Sequence, residues 1–402
     1  LKFRIKAAKR TEACKSCGFC ENYVCPSPGT CAGCGACRLA CPYEAVFLEE
    51  RETWETVTIR VNGGKAEVPA RTTVMEALKQ LGYRFSPLPE KDTIHAPCMV
   101  GGCWSCAVLV DEELRPSCVT PVREAMNIET EIPSGVETLR LVHGFMGHTV
   151  GGVGTPWWLK GLSRYIEVAC FACGCNLRCP QCQNWTTTYC GKEEPMTPGM
   201  AAETMTQLRR RTGVDRMAIS GGESTLNRRW LTSYVGRLKK LNPDPEARIH
   251  VDTNATLLTP DYIDELVEAG MTDIGPDLKG LKLETFMEVT GLKDKALALK
   301  LLENSWRALE YLVDNYWGEI FIGVGVPYNP SLISLEELAS IGERLYQIEA
   351  EIQVCLLDYR GEFRRLSLRR PSYSEMEKAR RILKNTGLKT VIAQTSLGHI
   401  GP

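Results

Sequence analysis

The chain has 402 residues, 44% of them apolar and 24% charged, with a formal net charge of −1. That balance excludes a basic field for nucleic acid and a polybasic membrane patch, and no apolar run approaches the length of a bilayer span. The outlier is cysteine, with nineteen in the chain.

All but Cys355 fall before residue 191, in tight clusters. Cysteines two or three residues apart on one loop suit metal sites, whereas disulfides belong to small secreted domains. The reading is a cytoplasmic, reduced, anaerobic protein of roughly two to four domains. The opening "LKFRIKAAKR" has no apolar signal-peptide core and begins with Leu, so a missing or processed start is expected. Cys355, in "EIQVCLLDY", reads as a buried strand residue.

Residues 14–26 read "CKSCGFCENYVCP" and residues 31–42 read "CAGCGACRLACP". They are two copies of one pattern. Three thiolates at two-residue gaps wrap one face of a cubane, and a fourth, followed by Pro, reaches the other cluster. This assigns Cys14, Cys17, Cys20 and Cys41 to one [4Fe–4S] cluster and Cys31, Cys34, Cys37 and Cys25 to a second. Zinc binding is the lesser alternative for eight cysteines in this doubled order. Residues 8–50 resemble a bacterial-type two-cluster ferredoxin. One departure is visible: four residues separate Cys20 from Cys25, where three separate Cys37 from Cys41.

Residues 56–69, "TVTIRVNGGKAEVP", predict a β-hairpin about "NGG". "TTVMEALKQLG" (72–82) predicts a capped helix with Val74, Leu78 and Leu81 on one face and Gly82 at its end. Then come Cys98, Cys103 and Cys106, spaced C-x4-C-x2-C, and Cys118 beyond them. The first three match plant-type [2Fe–2S] spacing, and Gly101 and Gly102 permit a close fold around the sulfides. Hairpin, helix and cysteine loop over residues 54–133 resemble a β-grasp [2Fe–2S] domain, nearest in spacing to the iron–sulfur subunit of succinate dehydrogenase. The resemblance implies Cys98, Cys103, Cys106 and Cys118 as ligands. His95 reads as a packing residue. Residues 134–163 are Gly-rich and read as a linker, packed through Trp157 and Trp158; His143 and His148 lie there without an assigned metal role.

From residue 164 short apolar runs alternate with amphipathic stretches. Strands are predicted near 164–170, 215–220, 247–253, 272–278, 319–326 and 351–358. Helices are predicted near 198–212, 227–241, 260–270, 297–315, 334–348 and 373–387. Six β/α units over 164–395 give an α/β fold: a partial (β/α)6 TIM-like barrel, preceded by the ferredoxin-like two-cluster domain and the β-grasp domain. Chemistry in such sheets sits at the C-terminal strand ends.

The first strand end carries "CFACGCNLRCPQC" (170–182), with five cysteines. Cys175, Cys179 and Cys182 form C-x3-C-x2-C. A zinc set of Cys170, Cys173, Cys179 and Cys182 leaves a gap too short for a knuckle and strands Cys175. The C-x3-C-x2-C motif resembles the radical SAM superfamily, in which three cysteines hold a [4Fe–4S] cluster and the fourth iron is left for S-adenosylmethionine. Three ligands leave one position open, as a catalytic centre requires. Later strand ends agree with the resemblance: "SGGES" with Gly221, Gly222 and Glu223; "DTN" with Asp252, Thr253 and Asn254; "DLKG" with Asp277 and Lys279; and Gly323 and Gly325 in "IGVGVP". In activating enzymes of the pyruvate formate-lyase type these positions contact the methionine, ribose, carboxylate and adenine portions of S-adenosylmethionine. There the two Asp also help hold a monovalent cation. Where many members have an aromatic residue before the last cysteine, this chain has Gln181, so adenine contact is expected from Asn184 or Trp185. Cys170 is expected to end the first strand and pack inward; Cys173 and Cys190 are left as unligated thiols or substrate contacts.

The resemblance implies three [4Fe–4S] clusters (one binding S-adenosylmethionine), one [2Fe–2S] cluster, and an oxidoreductase that cleaves S-adenosylmethionine reductively to a 5′-deoxyadenosyl radical. The front clusters are expected to deliver electrons from a ferredoxin, flavodoxin or redox complex. Hydrogen abstraction from a glycine of a protein substrate is the leading expectation. Two readings stay open beside it: an electron-transfer subunit of a larger redox complex, and a radical enzyme acting on a small molecule. No nucleic acid or membrane partner is expected.

Overall fold

The computed structural model describes residues 2–160 and 164–402. They form two compact units. The first comprises Leu1–His143, Ala172–Asn176 and Asn184–Pro198; the second comprises Gly144–Phe171, Leu177–Gln183 and Gly199–Pro402.

In the first unit, β1 (Phe3–Arg10) and β2 (Val46–Thr53) pair antiparallel, from Phe3 opposite Thr53 to Arg10 opposite Val46. The cysteine repeat lies between them, shaped by a π-helical turn at Cys20–Val24 and the short helix α1 (Ala36–Ala40). Gly33 has to be glycine: its φ is +68°, and a Cβ there would stand 2.3 Å from the Lys6 carbonyl oxygen.

The hairpin forms where the sequence places it. β3 (Thr56–Val61) and β4 (Gly64–Pro69) pair about Asn62 and Gly63, both at positive φ, as a type I′ turn demands. Helix α2 (Val74–Gln80) starts at Thr73, whose hydroxyl accepts from the Glu76 N–H. Leu81, expected on the buried face, is 39% exposed, because the helix stops one residue earlier and Leu81 turns outward as its C-cap. Two short strands, β5 (Phe85–Ser86) and β6 (Ile94–His95), pair beside it. β7 (Ala107–Val110), β8 (Glu113–Pro116) and β9 (Asn127–Glu129) complete a mixed five-stranded sheet in the order β4-β3-β9-β7-β8. Ile59, Val68, Leu78, Val108 and Ile128 fill its core.

Residues 134–163, expected as a linker, contribute an element instead. β10 (Val142–His148) joins the large sheet at its edge. Residues 161–163 of that expected linker lie outside the described residues.

The large sheet has nine strands in sequential order. After β10 come β11 (Glu167–Ala172), β12 (Arg216–Gly221), β13 (Arg248–Thr253), β14 (Asp273–Pro276), β15 (Phe321–Tyr328), β16 (Gln353–Asp358), β17 (Thr390–Thr395) and β18 (Gly398–Ile400). β12 to β17 run parallel and β18 returns antiparallel. The helices are α3 (Trp185–Thr188, in the first unit), α4 (Pro198–Thr212), α5 (Arg228–Leu241), α6 (Pro260–Ala269), α7 (Leu283–Thr290), α8 (Lys295–Tyr316), α9 (Leu335–Ile348) and α10 (Tyr373–Asn385). α7, β17 and β18 go beyond the elements read from sequence. β11 begins and ends later than expected, so Cys170 sits within it rather than at its end.

The parallel strands alternate in a way that decides where chemistry can occur. Ile249 and Val251 face one side of β13 and are buried, while His250 and Asp252 face the other. The register carries that polar face across: Asp252 stands opposite Gly275, His250 opposite Asp273, and Gly325 opposite Cys355. Cys355 is 1% exposed on β16, the buried strand position expected for it.

Candidate functional site

The cysteine repeat holds two cavities. One is lined by Cys14, Cys17, Cys20 and Cys41, the other by Cys25, Cys31, Cys34 and Cys37, and Cys20 borders both. Backbone N–H groups point at the sulfurs: Ala8 N at 3.3 Å and Gly33 N at 3.4 Å from Cys31 Sγ, and Ala45 N at 3.4 Å from Cys41 Sγ. Burial pushes the Cys34 thiol up to about 11 and the Cys37 thiol up to about 12. Thiolates there need a cation to stabilise them. Two sets of four sulfurs with N–H donors around them fit a pair of cubanes.

Cys98, Cys103, Cys106 and Cys118 are each 1% exposed. Their thiols form a hydrogen-bonded chain, Cys103 to Cys98 to Cys118 to Cys106. The Cys103 hydrogen bond holds Cys98 well below the usual thiol range, and burial holds Cys103 well above it. The backbone bends tightly to converge them: Met99 and Trp104 take φ of +61° and +59°, a conformation non-glycine residues adopt only when their surroundings impose it. Four converging buried sulfurs fit a [2Fe–2S] cluster. His95 is turned away; its Nε2 lies 3.1 Å from the Pro87 carbonyl.

The five cysteines of residues 170–182 separate by environment. Cys170 is fully buried with its sulfur 3.5 Å from the Tyr234 hydroxyl, an inward packing role. Cys173 is fully buried in an apolar cluster with Trp104, Leu141 and Cys190, and its thiol is hydrogen-bonded to that of Cys190. That bond lowers Cys190 to about 7 and raises Cys173 well above the usual range. Cys173 thus sits with Cys190 in an apolar cluster of the first unit. Cys175, Cys179 and Cys182 remain, each partly exposed, on the loop after β11. Cys175 falls in the first unit, Cys179 and Cys182 in the second.

Within the second unit, the strand-end turns are tied together by one side chain. Glu223, 1% exposed, accepts from the Thr225 N–H at 3.0 Å, the Thr225 hydroxyl at 2.6 Å, the Thr253 hydroxyl at 2.6 Å and the Asn254 N–H at 2.7 Å. Both of its oxygens are thus engaged by the chain itself. Asn254 Oδ1 in turn accepts from the Thr256 N–H and hydroxyl, and Ser224 Oγ donates to the Asp252 carbonyl at 2.6 Å. Glu223, Thr253 and Asn254 shape the "GGE" and "DTN" turns, with Gly221 at φ +112° opening the first.

Asp277 is different. Its Oδ2 accepts from Lys279 Nζ at 3.0 Å, but its Oδ1 is buried with no hydrogen-bond partner among the described residues. Burial raises its pKa, against the pull of Lys279. A buried carboxylate oxygen without a donor fits a ligand that donates a hydrogen bond or carries positive charge. Beside it, Tyr359 reaches the Cys179 sulfur with its hydroxyl, and Lys279 Nζ lies 5.8 Å from its ring centroid. Tyr359 follows β16 in no recognisable motif, and sequence reading missed it. Gln181 is fully buried and donates to the Val289 carbonyl at 2.7 Å. Trp185, considered for adenine, packs against Phe19 with ring centroids 4.6 Å apart.

A second feature missed from sequence is a buried charge cluster. His250 Nδ1 lies 3.4 Å from Glu167 and its Nε2 lies 3.0 Å from Asp252 Oδ1. The Nε2 contact is at ion-pair distance without hydrogen-bond alignment. Arg216 pairs with Asp273 at 2.9 Å. Burial alone pulls the imidazole down, but Asp252 and Glu167 outweigh it and raise His250 from 6.5 to about 9. Glu167 is raised by burial and lowered more by His250 and Arg216, reaching about 2 from 4.5. The His250 contribution to stability is complete below pH 6.5 and is lost as pH rises through about 9. The Glu167 contribution is complete above pH 4.5 and is lost as pH falls towards 2. The melting temperature is therefore expected to fall from pH 6.5 upwards in the wild type, and His250→Gln should flatten that alkaline decline. Parallel declines in the two proteins would show that His250 is not its source.

Residues 170–339 match the family model of the radical SAM superfamily, and residues 55–133 match that of a 2Fe–2S iron–sulfur cluster binding domain. No curated protein matches the chain. Among solved structures it is similar to SuiB from Streptococcus suis, at 14% identity and a TM-score of 0.43, over 57% of this chain and 50% of that one. It is similar to coproporphyrinogen III oxidase (HemN) from Escherichia coli, at 16% identity and a TM-score of 0.31, over 43% and 41% of the two chains. It is also similar to the radical S-adenosylmethionine methyltransferase TsrM from Kitasatospora setae, at 16% identity and a TM-score of 0.35, over 46% and 34%. The chain spans half or less of the length of these three structures. It carries a radical SAM domain and a separate 2Fe–2S domain. Among the described residues, no helix is long and apolar enough to cross a membrane.

Proposed function

We propose that the protein is an activating-enzyme-like radical SAM oxidoreductase that abstracts hydrogen from a protein substrate, with its own clusters delivering the electrons. The observation that carries this reading is the match over residues 170–339, with C-x3-C-x2-C at its start and the Glu223-tied turns behind it. Cys175, Cys179 and Cys182 would hold the cluster, which would supply the one-electron reductive chemistry on S-adenosylmethionine. The chain's own part is to hold the reactants. Gly221 and Gly222 would let the backbone approach the methionine ammonium; Asp252 and Asp277 would face the ribose hydroxyls or a monovalent cation; Lys279 balances Asp277 and lies beside Cys179. The sheet runs in sequence from β10 to β18 with its two ends unpaired to one another among the described residues, which supports an open partial barrel.

Electron delivery is supported by contacts inside the first unit. A Cβ on Gly102, in the [2Fe–2S] loop, would stand 2.8 Å from the Cys173 backbone; one on Gly174 would stand 3.0 Å from the Cys103 nitrogen. Phe19, between two cubane ligands, packs on Trp185. Within the first unit, both accessory segments thus touch residues 173–174 and 185, which neighbour the cysteine motif in sequence. Cys103→Ser is expected to abolish activity with reduced ferredoxin or flavodoxin while a strong chemical reductant restores it. Equal loss with both donors would mean that the domain is structural or binds substrate.

The reading as a whole is tested by anaerobic reconstitution, reduction and addition of S-adenosylmethionine. 5′-Deoxyadenosine is the expected product; its absence favours an electron-transfer subunit. A persistent glycyl EPR signal on a co-purified protein marks the activating role, and product formation without one marks a small-molecule substrate.

A further inference from the structure

The segment "GGVGTP" (151–156) lies on the polar face of the large sheet, where a loop is unexpected. Loops ordinarily run over the surface because buried backbone groups need partners. Here the partners are side chains from four strands. The Gly152 N–H donates to Glu167 Oε1 at 3.0 Å, and the Val153 N–H to Asp252 Oδ1 at 3.1 Å. Arg216 Nη2 donates to the Gly154 carbonyl at 3.0 Å. Gln353 Nε2 donates to the Thr155 carbonyl at 2.9 Å, and its Oε1 accepts from the Trp157 N–H at 2.7 Å.

The strands make room for it. A Cβ on Gly275 would meet the Gly154 nitrogen at 2.6 Å, and one on Gly323 would meet the Val153 carbonyl oxygen at 2.5 Å. One on Gly325 would lie 2.0 Å from Asp277 Oδ1 and 3.0 Å from Val153 Cγ2. Gly323 and Gly325, expected beside adenine, are therefore glycines because the segment and Asp277 occupy the space. The segment itself is equally constrained: a Cβ on Gly152 would stand 2.2 Å from Asp252 Oδ2, and one on Gly154 would stand 2.6 Å from His250 Nε2.

Its level along the strands matters. It lies against His250, Asp252, Gly275 and Gly323, below the turns at Glu223, Asn254 and Lys279. Residues 154–156 are buried, whereas residues 151–153 are half-buried.

We propose that residues 151–156 are an internal floor that closes the lower part of this face and positions the Asp252 carboxylate for S-adenosylmethionine, with Gly152 and Val153 as positioning residues. The proposal rests on the reading of Asp252 as a ligand-facing residue. The floor confines cofactor and substrate to the C-terminal strand ends, and the Val153 N–H fixes the Asp252 rotamer from beneath.

The test uses reconstituted full-length protein with matched iron content, reading S-adenosylmethionine affinity by equilibrium dialysis and the change that S-adenosylmethionine causes in the EPR signal of the reduced protein. Gly152→Ala, whose methyl displaces Asp252, is expected to lose affinity by at least about tenfold and to alter that EPR change. Val153→Ala keeps the N–H and should stay within about threefold of wild type. Asp252→Asn is the control. If it loses affinity while Gly152→Ala binds like wild type, the positioning role is overturned. If Asp252→Asn itself binds like wild type, the reading of Asp252 fails and takes the proposal with it. Should Gly152→Ala not fold, hydrogen exchange on the wild type decides: the bonded amides of 152, 153 and 155 are expected among the slowly exchanging set, and exchange at the rate of exposed loops overturns the floor.

Discussion

Cys179→Ala should remove about four irons per chain and lower 5′-deoxyadenosine formation at least about a thousandfold, while the 2Fe–2S signal and the remaining cubane iron persist. The loss is large because the substitution takes away one of three ligands, and the fourth coordination position is needed by S-adenosylmethionine. Within the second unit Cys179 touches Tyr359 and feels Lys279, and neither is a soft ligand. Cys173 is close in sequence, but its thiol is hydrogen-bonded to Cys190 inside an apolar cluster. Cys173→Ala should accordingly keep the full iron content and most of the cleavage activity, costing about 1 kcal/mol of stability for the lost buried hydrogen bond. Iron and sulfide analysis, EPR and product chromatography on the two variants separate the assignments. If Cys173→Ala lost the iron and Cys179→Ala kept it, the C-x3-C-x2-C assignment would be wrong.

Periodicity and spacing carried much of this architecture. The hairpin about Asn62 and Gly63 was legible because only a type I′ turn uses two positive-φ residues between alternating strands. The strands under the "DTN" and "DLKG" motifs were legible because each is an apolar run of fixed length before a polar turn. What stayed hidden depends on contacts between residues far apart in sequence. "GGVGTP" reads as part of a linker packed through Trp157 and Trp158, since nothing local reveals that Gly275, Gly323 and Gly325 leave room for it more than a hundred residues later. Tyr359 carries no motif. His250 did carry a signal: in "RIHVDT" it stands two residues before Asp252, so strand geometry puts both on one face. β17 was missed because "TVIAQT" follows the last predicted helix and resembles any short apolar tail. The pairing of Cys173 with Cys190 could not be read at all, because a cysteine in a cluster-rich segment looks like a ligand until its environment is known.

Glu223→Gln is expected to weaken S-adenosylmethionine binding by at least about tenfold and to lower stability by about 2–4 kcal/mol, although the change alters one atom. The family resemblance places this residue against the cofactor, but its two oxygens are already occupied. Oε1 receives the Thr225 N–H and the Thr225 and Thr253 hydroxyls; Oε2 receives the Asn254 N–H at 2.7 Å. A glutamine can keep its carbonyl on only one side. Whichever side receives the NH2 then sets donor against donor in a region 1% exposed, where no water compensates. With the amide towards Asn254, the turn after β13 loses its anchor to the turn after β12, and Asp252 at the end of that strand moves with it. The effect on the cofactor is thus indirect, through the spacing of two turns rather than a lost contact. That distinction is measurable. An indirect role predicts that S-adenosylmethionine affinity and melting temperature fall together in Glu223→Gln, and that Thr253→Val, which removes one of the four donors, shows a smaller version of both. A direct role predicts weakened binding with the melting temperature unchanged. Because carboxylate hydrogen bonds of this kind contribute about 1.5–3 kcal/mol each when buried, the two outcomes are far enough apart for calorimetry and equilibrium dialysis to decide.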